Sequence, residues 1–271
     1  MPFVRVDDLV VHYELTGPVD APVVAFGNSL GTSYHLWDAN VGALSSHFRL
    51  LRYDMRGHGL TSVTPGPPRA TVDALAEDFI GLIDTLGIDR VRYVGLSVGG
   101  MVGQKLAGRF PQRVEAIVLC ATGNQLGTPE MWNARFAAIE SGGLEAIVDG
   151  AIARWFTLET LTLRPELVEG FRTMICRTAP AGYIGVGMAV RDGDLRADDA
   201  AIAVPTLIIS GADDQAAPPD RGEALHAAIP HSRFVLLQNA AHLLNVEQDD
   251  RVNALLSAFL ANPARAAVEA S

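Results

Sequence analysis

Short β-branched runs alternate with helix-period segments along this chain, except in one long block that holds helices alone. That rhythm limits the possible folds more than any other feature. Strand-like runs read at Phe3–Val6, Val10–Leu15, Pro22–Phe26, Arg49–Tyr53, Val91–Gly95, Val114–Cys120, Thr206–Ser210 and Phe234–Leu237. Helical periodicity fits Val72–Leu86, with Thr71 as N-cap and Gly87 as stop, and Val98–Phe110, which ends before Pro111. It returns at Arg221–Ala228 and Val246–Leu260. Apolar strands separated by helices give an α/β architecture, a mostly parallel central sheet with helices on both faces. From Gly123 to Asp192 the alternation stops, leaving amphipathic stretches near Met131–Glu140, Leu144–Phe156 and Pro165–Arg177. The expected organisation is a core of residues 1–122 and 193–271 carrying a helical cap, residues 123–192. The cap would cover the sheet's carboxyl edge, where open parallel sheets bind ligands. The Ala-rich tail from Asn262 to Ser271 is expected to fray.

Bulk properties narrow the function. A length of 271 residues suits one large α/β domain with an insertion, and 49% hydrophobic with 19% charged residues excludes extensive disorder. The formal net charge of −10 argues against nucleic acid or an anionic membrane as partner. Lysine occurs once, at Lys105, so an anionic ligand would have to be held by specific arginines. No apolar run approaches the roughly 18 to 20 residues of a membrane span, and the N-terminus lacks the layout of a secretory signal. A cytoplasmic enzyme is the expectation, with its oligomeric state open. Cys120, in a strand, and Cys176, in a helical stretch, read as packed thiols, neither a disulfide framework nor a metal site. With no HExxH, CxxC, Walker-type loop or dinucleotide fingerprint, no cofactor and no metal are expected.

The string Gly95-Leu96-Ser97-Val98-Gly99 carries the chemistry. An apolar strand leads in and a helix leads out, as a nucleophile elbow requires, and glycines on both sides relieve the clashes of a strained serine backbone. Among seven histidines, only His242 follows a late strand through a small-residue approach, Asn239-Ala240-Ala241. It is the expected base. His58 reads as a brace for its own turn, and His12, His226 and His231 as structural or solvated histidines. The acid should come from the loop after Thr206–Ser210, which offers Asp213 and Asp214. Asp214 is preferred, with Asp213 as fallback. An ionised aspartate on the imidazole would fix the tautomer that accepts the serine proton. Oxyanion donors are expected from the backbone N–H of Val98 and of Leu30, in the loop after Pro22–Phe26.

Several strings together resemble the 3-oxoadipate enol-lactonases, a family of α/β-hydrolase fold. They are Asn28-Ser29-Leu30-Gly31-Thr32, Arg52-Tyr53-Asp54-Met55-Arg56-Gly57-His58-Gly59, the elbow, and Ala240-Ala241-His242-Leu243-Leu244-Asn245-Val246-Glu247. Gly127-Thr128-Pro129-Glu130-Met131-Trp132-Asn133-Ala134-Arg135 and Ala153-Arg154-Trp155-Phe156-Thr157 resemble that family's cap. The resemblance implies a serine hydrolase that opens a small carboxylate-bearing enol-lactone in the β-ketoadipate route of aromatic catabolism, with Ser97, Asp214 and His242 as its triad. A substrate carboxylate needs a positive partner, best a guanidinium fork. Arg135 and Arg154 are the candidates, with Trp132 and Trp155 as apolar walls. The alternative for each arginine is a surface ion pair with a neighbour such as Glu140 or Asp149. The alternative for the whole is a lactonase or carboxylesterase acting on a different small ester, since a triad does not fix its substrate.

Overall fold

In the computed structural model, which describes residues 2–63 and 69–263, eight strands form one sheet. They are β1 (Phe3–Val6), β2 (Leu9–Thr16), β3 (Val23–Gly27), β4 (Arg49–Tyr53), β5 (Val91–Leu96), β6 (Val114–Cys120), β7 (Thr206–Gly211) and β8 (Ser232–Leu237). The spatial order is β1-β2-β4-β3-β5-β6-β7-β8. The β1–β2 and β2–β4 pairs are antiparallel and every later pair is parallel. Strands at the centre are buried along almost their whole length, because helices cover both faces; this is why they read as unbroken apolar runs. Of the expected frayed tail, residues 264 onward lie outside the described residues.

Helices α1 (Asp38–Leu44), α11 (Leu244–Glu247) and α12 (Asp249–Ala261) pack together in one layer. On the other face α2 (Val72–Thr85), α3 (Val98–Arg109), α9 (Arg196–Asp199) and α10 (Pro219–Ala228) are contiguous. Five helices form a block between β6 and α9: α4 (Pro129–Gly142), α5 (Val148–Trp155), α6 (Leu158–Leu163), α7 (Pro165–Cys176) and α8 (Pro180–Asp192). The single helix expected over Leu144–Phe156 is instead a 3-10 turn, Leu144–Ala146, followed by α5, with Ile147 leaving helical geometry between them. Helix α8 escapes sequence reading because three glycines weaken its helical signal and its residues are buried on nearly all sides, leaving no polar face. None of the helices among the described residues is long and apolar enough to cross a membrane.

The strand order reverses between β3 and β5. The chain runs from β3 out to β4, then crosses back to β5, so the carboxyl ends of β3 and β5 flank a crevice. Gly27, the end of β3, is in register with Gly95 of β5. The elbow serine therefore emerges at this crevice, beside the loop that carries Leu30.

The two connections of the five-helix block meet at a buried acid. Asp199 Oδ2 accepts a hydrogen bond from Asn124 Nδ2 at 3.0 Å, and Leu195 N–H donates to Asn124 O, also at 3.0 Å. Burial raises the Asp199 carboxyl to about 6, opposed by the bond from Asn124 and reinforced by Asp198 and Asp194. Because this pKa lies above the ordinary unfolded value, the protonated acid favours the fold. Its contribution is whole below about pH 4 and is lost as pH rises through about 6. Asp199→Asn is thus expected to match wild-type stability at pH 4 and exceed it by roughly 1 to 2 kcal/mol at pH 8. Urea melts at the two pH values check this; a less stable variant at pH 8 refutes it.

Candidate active site

Ser97 sits between β5 and α3 with φ 58° and ψ −119°, a left-handed backbone that a non-glycine residue adopts only under constraint. The constraint is visible. Ser97 N–H donates to Cys120 O at 2.9 Å, and Thr122 Oγ1 donates to Ser97 O at 2.7 Å. The flanking glycines are a steric requirement: a Cβ on Gly95 would stand 2.2 Å from Gly99 O, and one on Gly99 would stand 2.4 Å from Gly27 O. The bend brings Gly99 N–H onto Asn28 O at 3.1 Å, tying the helix start to the loop after β3.

His242 lies in the loop after β8, and its Nδ1 is 2.9 Å from Asp214 Oδ2, with both side chains buried. The other carboxylate oxygen, Asp214 Oδ1, accepts from Ala216 N–H at 2.7 Å and Ala217 N–H at 2.9 Å. Asp214 is therefore held from both ends. With Nδ1–H donating to this carboxylate, Nε2 is left as the acceptor. Asp213 is exposed, and its N–H donates to Ala240 O, so the structure brings Asp214 and not Asp213 to the imidazole. Ser97 and His242 line one cavity of about 240 Å³, and no hydrogen bond joins them among the described residues. Leu30 lines the same cavity, while the Val98 side chain is buried and does not line it. Neither Leu30 N–H nor Val98 N–H has an acceptor among the described residues, which leaves both free to receive one.

Trp132 and Arg135 of α4 and Arg154 and Trp155 of α5 all line this cavity. The ion pairs weighed for the two arginines do not form: Asp149 engages Arg172, and neither Arg135 nor Arg154 has a carboxylate partner among the described residues. The Arg135 guanidinium instead lies 4.5 Å from the centre of the Trp132 ring, a cation–π contact. Burial depresses the Arg154 pKa, and the neighbouring Arg135 charge adds to the effect. Two like charges held together without an anion are costly unless a ligand supplies one.

Other residues of the site were not evident in the sequence. Tyr183, buried on α8, lines the cavity beside both arginines; burial raises its pKa while the two guanidiniums oppose the rise. Gln215 and Arg221 also line the cavity, and Arg221 lies 4.0 Å from the Asp220 carboxylate. The signal for Tyr183 was hidden with its helix. Among the described residues, no cluster of three or more His, Cys, Asp or Glu side chains is arranged to hold a metal. His58 hydrogen bonds Arg56 O at 3.0 Å, inside its own turn, and does not line the cavity; burial lowers its pKa. His12 is buried against Asp54 at 2.8 Å.

The family model described as the alpha/beta hydrolase fold matches residues 22–249, and the chain belongs to that family. It is 33% identical over 253 residues to 3-oxoadipate enol-lactonase 2 of Acinetobacter baylyi, which covers 93% of this chain and 94% of that protein. Among solved structures, an enol-lactonase from Burkholderia xenovorans LB400 matches with TM-score 0.93 and 38% identity, over 96% of this chain and 100% of that one. A hydrolase from Pseudomonas aeruginosa PA01 matches with TM-score 0.91 and 41% identity, over 96% and 97%. Within the α/β hydrolases the chain groups with the 3-oxoadipate enol-lactonases, and it is a hydrolase.

Proposed function

We propose that this hydrolase opens a small enol-lactone bearing a carboxylate, of the 3-oxoadipate enol-lactone type, through an acyl-enzyme on Ser97. The observation that carries this reading is the pair of guanidiniums, Arg135 and Arg154, that line one cavity with Ser97 and His242 and have no carboxylate partner among the described residues. In a chain of net charge −10, such a pair is a specific feature rather than part of a general positive field. Residues 123–192 act in this reading as a lid over a core of residues 1–122 and 193–271. Similarity to the enol-lactonases supports the lactone assignment.

In this mechanism the substrate carboxylate rests against Arg135 and Arg154, between Trp132 and Trp155. Ser97 Oγ attacks the lactone carbonyl as His242 Nε2 takes its proton, and Asp214 stabilises the imidazolium through Nδ1. The tetrahedral oxyanion receives hydrogen bonds from Leu30 N–H and Val98 N–H. The ring C–O bond then breaks, and His242 returns the proton to the departing enol oxygen. That oxygen stays tethered to the acyl group, but tautomerisation to the ketone removes it as a nucleophile, so the ring does not reclose. Water, deprotonated by His242, attacks the acyl-enzyme and releases the acid.

The test is steady-state kinetics on 3-oxoadipate enol-lactone beside a neutral aryl ester. Arg135→Ala and Arg154→Ala are each expected to lower kcat/KM on the anionic lactone by roughly 30- to 1000-fold, the cost of losing one partner of a buried charge pair. The same variants should change the neutral ester by less than about threefold, as substitutions away from a substrate's contacts do. Equal losses on both substrates would overturn the carboxylate assignment.

A further inference from the structure

The loop that carries His242 is bonded directly to the segment that follows Arg154. Glu247, on α11, is the centre of this junction. Its Oε1 accepts from Thr157 N–H and from Thr157 Oγ1, both at 2.8 Å. Its Oε2 accepts from Ala241 N–H at 2.6 Å. Two further bonds run in parallel: Leu243 N–H donates to Trp155 O at 3.0 Å, and the Arg164 guanidinium donates to Val246 O at 2.9 Å. Ala241 and Leu243 are the chain neighbours of His242, while Trp155 and Thr157 lie one and three residues after Arg154. The imidazole and one wall of the anion site thus share a single hydrogen-bonded frame.

We infer that Glu247 is a positioning residue, which couples the seating of the substrate's anionic group at Arg154 to the placement of His242. The inference rests on the reading of the cavity as a carboxylate-bearing lactone site. Chemistry explains why a carboxylate stands here. Donors approach from both sides, and only an ionised acid offers acceptors on both oxygens. A glutamine offers one acceptor oxygen and an NH2, so it can satisfy the Thr157 side or the Ala241 side, but not both. Substituting it leaves the side chain's volume and opens the junction on one flank. The His242 loop then keeps the Leu243 N–H bond to Trp155 O but loses one side of the carboxylate bridge that registers it against α5, while Asp214 still holds Nδ1.

Glu247→Gln is tested alone and with Arg154→Ala, with kcat expressed per active site titrated by a fluorophosphonate so that misfolded protein is not counted. On a neutral aryl ester, Glu247→Gln is expected to lower kcat about tenfold with KM changed by less than about twofold. On the anionic lactone, the loss caused by Arg154→Ala should shrink at least fivefold in the Glu247→Gln background, because coupled residues are not additive. Thr157→Val, which removes one donor and keeps the other, should lower kcat about threefold and serves if Glu247→Gln does not fold. Equal Arg154→Ala losses in the two backgrounds, or an effect on KM alone, would overturn the coupling. If wild-type protein does not open the lactone, the substrate reading fails and the coupling to Arg154 falls with it. The aryl-ester kcat then still decides whether Glu247 positions His242.

Discussion

Ser97→Ala is expected to lower kcat/KM on every ester or lactone substrate by roughly 10⁴- to 10⁶-fold, with the fold intact. The change removes one hydroxyl. Alanine carries the same Cβ as serine, so the backbone at φ 58° is under the same constraint before and after. Both bonds that fix the elbow, Ser97 N–H to Cys120 O and Thr122 Oγ1 to Ser97 O, use main-chain atoms of Ser97 and survive. What remains is catalysis by the oxyanion donors and by binding alone. Circular dichroism and a thermal melt establish that the variant is folded, and kinetics on the lactone and an aryl ester give the loss. Near-normal turnover in folded Ser97→Ala removes Ser97 as the nucleophile.

Asp214→Asn is expected to lower kcat by roughly 10³- to 10⁴-fold while KM changes little. Asp214 Oδ1 already receives two backbone N–H groups, from Ala216 and Ala217. An asparagine would place its carbonyl oxygen there and turn its NH2 toward His242 Nδ1. Nδ1 would then have to accept, which puts the proton on Nε2, and an Nε2–H cannot take the serine proton. Asp213→Asn is the control: that side chain is exposed, and its substitution should stay within about threefold. A reversal of the two effects would move the acid to Asp213.

The fold was legible in the sequence where local sterics or local pattern dictate it. Gly95 and Gly99 announce the elbow because backbone oxygens occupy the space their side chains would need. The buried central strands announce themselves as apolar runs because both faces of the sheet are covered. Asp213 and Asp214 are adjacent in one loop, so spacing cannot separate them. The separation comes from the Asp213 N–H bond to Ala240 O, which fixes the turn and sends the Asp214 side chain inward. Helix α8 was illegible for a packing reason. A Cβ on Gly182 would stand 2.2 Å from Gly57 O, so the close approach of these backbones selects the residue that hides a helix. Tyr183 was hidden with it. Glu247 was visible as part of a familiar string, but its role depends on Thr157, 90 residues away in the chain. That Arg135 and Arg154 have no ion pair among the described residues is likewise a fact of three dimensions.

The most direct test of the site is covalent labelling. A fluorophosphonate reacts with a serine only when that hydroxyl is activated, and peptide mass spectrometry locates the adduct. The expected result is one phosphonyl group on the peptide containing Ser97, activity lost in proportion to labelling, and labelling slowed strongly by His242→Ala. Full labelling of Ser97 in protein that still turns over substrate, or inactivation with the label on another residue, would contradict the assignment.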